Sequence, residues 1–120
     1  MTTDTEKKKP DREQQRKLAL SAADHAESVL GYFEERHPQD DRPRKAIQAA
    51  RDWAHGLIKV GDARQAAFAA HAAAREAQHP AAIAAARAAG HAAASAHVPG
   101  HAKHALAYAN KADAAAKPKG

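Results

Sequence analysis

The sequence predicts an all-α fold, a compact bundle of about five helices with alanine and glycine at the helix contacts. Prolines and glycines cut the chain into five segments of helical length, and runs of β-branched and aromatic residues that would mark strands are missing. Alanine, the strongest helix former, supplies 36 of the 120 residues. The bulky apolar residues number only 17. Burying an alanine contributes little beside the ~1.5 to 3 kcal/mol of a leucine or phenylalanine. A thick oily core is therefore excluded, and close approach of helices is the alternative.

The first helix is expected from about Asp11 to Arg36, because Ala19, Ala22, Ala26, Val29, Leu30 and Phe33 recur at spacings of three and four. Gly31 is expected to loosen its last turns. After the loop His37-Pro38-Gln39-Asp40-Asp41, Pro43 fits the first turn of a second helix. That helix carries Ile47, Ala50, Ala54 and Leu57 on one side, with Trp53 beside the stripe and Gly56 near its end.

Gly61-Asp62 opens the third helix, which has Phe68 as its one large anchor among alanines and ends at His79-Pro80. The fourth runs from Pro80 to about His97, with Ile83 its bulky residue and Gly90 in its middle. A central glycine costs ~1 kcal/mol relative to alanine, so another backbone is expected to pass close to it. Val98-Pro99-Gly100 breaks the chain, since a residue before proline avoids the helical region. The fifth helix spans about His101 to Ala115, with Ala102, Ala105, Leu106, Ala109 and Ala112 facing inward. The expected organisation is a disordered arm over 1–10, one helical domain over 11–115 and a disordered tail over 116–120. Most bulky core side chains should come from the first two helices.

Composition excludes several classes. The chain has no cysteine, hence no disulfide framework or thiol chemistry. No apolar run reaches the ~20 residues of a membrane span, and the first residues lack the apolar centre of a signal peptide. A cytoplasmic location without membrane association is the expectation. Ser21, Ser28 and Ser95 stand in helical contexts rather than on a strained nucleophile turn, and glycine-rich phosphate loops are absent. Adjacent Asp40 and Asp41 suit loop and cap duty better than paired catalysis. A non-enzyme without a cofactor is expected.

The net charge of +5 is unevenly placed. Through Ala63 there are 12 Lys and Arg against 12 Asp and Glu; from Arg64 onward there are 7 against 2. The second half also holds six of the nine histidines. Such a face can meet an acidic protein or a nucleic acid backbone. Nucleic acid is disfavoured, because Arg64, Arg75, Arg87, Lys103 and Lys111 are scattered and aromatic residues are not interleaved with them.

His97, His101 and His104 surround the Val98-Pro99-Gly100 break, with His91 about two turns upstream. Three imidazoles can hold zinc, so His97, His101 and His104 form an alternative metal site. Only Glu76 and Asp113 follow Arg64 as acids, however, and metal-bound histidines usually lean on a carboxylate or carbonyl. The more economical reading is structural: the rings tie the last two helices together across the turn, and His71 is a half-buried ring bonded to a neighbour. Arg87 shares a face with Ile83, Gly90 and Ala94, and an acid such as Asp24 or Asp52 is its expected acceptor.

Several stretches carry a family resemblance. They are Asp24-His25-Ala26-Glu27, Asp41-Arg42-Pro43-Arg44, Arg51-Asp52-Trp53, Ala86-Arg87-Ala88-Ala89-Gly90-His91 and His97-Val98 with His101. Together they cover roughly residues 16 to 112, and over that span the chain resembles a family of small bacterial proteins labelled as immunity proteins. The resemblance implies an all-helical cytoplasmic protein that neutralises a toxin by binding it, without catalysis. The partner is then a protein, a toxin domain. Its contact surface is expected at the turn between the fourth and fifth helices, where Arg87, His97, His101 and His104 gather. The thin alanine core also leaves room for a homodimer through the first or second helix.

Overall fold

The computed structural model describes residues 11–117. The arm expected over 1–10 and the last three residues of the expected tail lie outside them. Five α-helices make up the described chain, with no strand among the described residues: α1 (Arg12–Glu34), α2 (Arg42–Ala54), α3 (Val60–Glu76), α4 (Pro80–Ala94) and α5 (His101–Ala116).

Each boundary has a local cause. The Asp11 carboxylate accepts the Gln14 N–H at 2.8 Å and the Gln14 side chain accepts the Asp11 N–H, a capping box that starts α1. The helix continues through Gly31 to Glu34. Pro43 sits in the first turn of α2 and is buried there. At the other end of α2, Gly56 takes φ +76°, the left-handed region where a side chain would be strained. Gly56 N–H then donates to Trp53 O at 3.0 Å and Leu57 N–H to Asp52 O at 2.8 Å. This closure ends α2 at Ala54, one turn before the Leu57 expected on its inner face, and leaves Leu57 71% exposed. At the start of α4, His79 Nδ1 accepts the Ala81 N–H at 3.1 Å, and Pro80 occupies the first helical position.

The core is almost entirely alanine. Val29, Leu30, Phe33 and Ile47 are its larger apolar members, all from α1 and α2. Helix α4 is the central element, packed against each of the other four helices and buried on nearly every side by methyl groups. Alanine makes this arrangement accessible: a helix with short side chains all round lets neighbours approach closely while interior packing density is kept.

Three expectations from sequence are corrected. Phe68 is 62% exposed rather than an anchor, because Ala63, Ala67, Ala70, Ala74 and Ala77 define the buried stripe and Phe68 projects from the opposite side of α3. Leu106 lies on the flank of α5, also exposed. The neighbour at Gly90 is a side chain, not a backbone: a Cβ built there would stand 2.6 Å from Cε1 and Nε2 of His71. Gly90 is thus required by the imidazole of another helix.

Candidate functional site

The concentrated chemistry of the molecule is a layer of histidines across α3, α4 and α5. Gly90 opens the space that lets His71 of α3 lie against α4. Arg87, one turn earlier on α4, approaches His71 Nδ1 with Nη1 at 2.9 Å. Arginine has only donors, so Nδ1 of His71 accepts and the ring is neutral with its proton on Nε2. The His71 ring meets His91 edge-on, with centroids 4.9 Å apart. His91 in turn stacks on His101 at 5.0 Å and on Tyr108 at 5.2 Å, with His104 at 5.3 Å.

The contact between His91 Nδ1 and His101 Nδ1 is 2.9 Å. One ring must donate and the other accept, so both cannot be protonated at once without opposing two N–H groups. Burial pushes His71 and His91 down to about 4, with Arg87 the next contributor for His71 and the neighbouring His71 ring for His91. Burial, then His104 and His97, lower His101 in the same direction. His71, His91 and His101 are therefore uncharged near neutral pH, with Arg87 as the cation beside them.

The residues singled out from sequence are brought together unevenly. His101 and His104 join the stack through His91, and Arg87 joins it through His71. His97 stays outside, exposed on the α4–α5 turn. Arg87 takes a histidine rather than either expected carboxylate: Asp24 is bound by Arg51 at 2.9 Å and Asp52 by Gln48 at 2.8 Å. His97, His101 and His104 were also the alternative metal ligands. No group of three or more His, Cys, Asp or Glu side chains among the described residues is placed to hold a metal ion. His91 and His101 spend their Nδ1 atoms on each other, and His97 makes no ring contact with the stack.

Two hollows flank His97. The smaller, about 150 Å³, is lined by Arg64, Ala67, Phe68, His71, Ala94, His97 and His101. Its apolar wall explains where Phe68 goes once it leaves the core. The larger, about 500 Å³, lies where the start of α1 meets the α2–α3 loop and the end of α4. Arg12, Gln15, Arg16, Trp53, Lys59, Val60 and His97 are among the residues around it. Gln15 Nε2 donates to Ala96 O at 3.0 Å, tying α1 to a carbonyl freed by the end of α4. Leu57, Val60, Phe68 and Val98 all carry exposed apolar side chains around this end of the bundle.

His71, His91 and Tyr108 were missing from the sequence-derived set, as were the cations of the larger hollow. The one signal in the sequence was Gly90 beside His91 in an alanine helix, which reports a close neighbour without saying which.

Fold and chemistry together define a small all-helical protein with no strand among its described residues, a histidine layer across three helices and two surface hollows that meet at His97. The chain belongs to the family described as "Imm-5 like putative immunity protein", whose profile matches residues 8–119. No curated protein and no solved structure matches it. No helix among the described residues is long and apolar enough to cross a membrane.

Proposed function

We propose that this protein is a non-enzymatic immunity protein that neutralises a toxin by binding it directly, with the α4–α5 turn and its two hollows as the contact surface. The observation that carries the reading is the family match over residues 8–119. The surface supports it, because Phe68, Leu57, Val60 and Val98 expose apolar area at the end that also displays His97. Interface centres are enriched in aromatic side chains and arginine, and such side chains are otherwise seldom left in water together. In this reading His97, His101 and His104 meet the partner. Arg87 acts from behind as a positioning residue, fixing His71 in the wall of the smaller hollow.

The test is co-expression with a toxin-domain protein encoded beside this gene, read by pull-down and by survival of the host. Stable capture and rescue by the wild type, both weakened by Phe68→Ser and His97→Ala, are the expected result. No capture and no rescue would overturn the reading.

A further inference from the structure

We infer that the larger hollow, between the start of α1 and the α2–α3 loop, receives an acidic segment of the protein partner, a run of aspartate and glutamate with apolar neighbours. This rests on the reading that the chain binds a protein, and it names the chemistry of the contact. Arg12, Arg16, Lys59 and His97 reach the hollow, and no carboxylate lines it among the described residues.

The acids nearby are engaged elsewhere. Asp11 caps α1, Glu13 pairs with Lys17 at 3.8 Å, and Asp62 accepts the Lys59 backbone N–H at 3.2 Å. Arg12, Arg16 and Lys59 enter no ion pair among the described residues. Like charges gathered around a concavity focus their field into it and draw in the opposite sign. The volume of about 500 Å³ admits a few side chains, and Trp53 supplies an apolar wall.

A peptide is favoured over a nucleic acid by what surrounds the hollow. A phosphodiester needs cations spaced along a track. Here three cations that enter no ion pair among the described residues share a single hollow, with Val60 exposed in its lining and Leu57, Phe68 and Val98 exposed around it. That border suits the apolar residues of a mixed acidic segment.

Trp53 is the sole tryptophan, so its emission reports entry into the hollow directly. The full chain is titrated with a synthetic dodecapeptide of Asp, Glu and Leu, with the same peptide carrying Lys for each acid, with oligo-dT of equal charge, and with sodium phosphate. Expected is a saturable change with the acidic peptide alone, weakened about tenfold or more in Arg16→Glu and in Lys59→Glu and weakened by added salt. Both positions are exposed, and circular dichroism confirms that the variants stay folded.

No saturable change, equal binding by the charge-reversed variants, tighter binding of oligo-dT, or saturation by phosphate at the same concentration would overturn the inference. Toxin capture separates it from the immunity reading. If the wild type and Arg16→Glu capture a toxin equally well, the larger hollow is not part of the contact, and the immunity reading stands with the α4–α5 turn and the smaller hollow as its surface. If the acidic peptide binds and no toxin is ever captured, the hollow stands and the immunity reading falls.

Discussion

At one end of the bundle Arg42 lies between Asp40 and Glu76, with Nη2 at 2.7 Å from each; Arg44 grips Glu34 and Tyr32 donates to Asp113. At the other end Arg12, Arg16 and Lys59 face a hollow with no carboxylate in its lining among the described residues. The same helices supply both ends. The closed end uses its polar and charged groups to tie together α1, α2, α3, α5 and the loop before α2; at the open end Arg12, Arg16 and Lys59 enter no ion pair among the described residues, and apolar side chains are exposed beside them. The difference separates charges that hold the fold from charges that the fold holds outward. Against the smaller hollow of the open end lies the histidine layer, in which burial holds His71, His91 and His101 uncharged near neutral pH.

That comparison is broken most severely at the layer itself. Gly90→Val places methyl groups where a Cβ alone already meets His71 at 2.6 Å. Overpacking of this kind destabilises by about 2 to 3 kcal/mol, measurable by urea unfolding. The milder pair Gly90→Ala with His71→Ala should recover most of the loss of Gly90→Ala alone, because the clash is with that ring. Additivity of the two changes would show that Gly90 serves something else.

The next effect distinguishes the layer from the closed end by pH. His71 and His91 are held down at about 4, so below the ordinary histidine range the unfolded chain binds more protons than the folded one. Their contribution to stability is complete above about pH 6.5, falls as pH drops toward 4 and levels off below it. The closed end behaves differently. Glu34, Asp40 and Glu76 are lowered chiefly by hydrogen bonds from Arg44 and Arg42, so what they contribute is present above the ordinary carboxylate range and is lost as pH falls from that range downward. Thermal melts should therefore fall in two successive windows, the histidine one first as pH drops. His71→Asn, which retains an acceptor for Arg87 without titrating, should flatten the upper one.

Smaller again is Arg42→Ala, which releases Asp40 and Glu76. The pairs are partly exposed, and an expected loss of under about 1 kcal/mol in urea unfolding follows from the modest worth of such pairs. Smallest for stability are Arg16→Glu and Phe68→Ser at the open end, each expected within about 0.5 kcal/mol of the wild type. A large destabilisation by Phe68→Ser would mean that Phe68 is buried in solution and that the contrast between the ends is wrong.

How much of this was legible in the sequence follows from the kind of signal each feature needs. Helix ends are local: Asp11, Pro43, Gly56 and Pro80 act within one turn of themselves, and all four marked real boundaries. The four larger core residues were legible because α1 and α2 alternate bulky apolar with charged positions. In α3 and α5 alanine occupies nearly every face, so hydrophobicity hardly distinguishes inside from outside. Phe68 was misplaced for that reason, although its position off the alanine stripe already argued against an inward anchor. Leu57 was misplaced because a glycine in the left-handed region ended α2 one turn early.

By itself the sequence determined the helices and their breaks, the thinness of the core and the gathering of positive charge in the second half. Propensity, proline, glycine and composition act locally or by simple addition, and need no fold to be read. Only the tertiary structure decided that His71 would fill the space beside Gly90, that His91 rather than His97 would join His101, and that Arg87 would bond a histidine instead of an acid. It also decided that Arg12 and Arg16 of α1 would share one hollow with the distant Lys59. These pairings depend on the rotation and height of one helix against another. In a bundle built from alanine, close packing of methyl groups fixes both, and no single residue announces them.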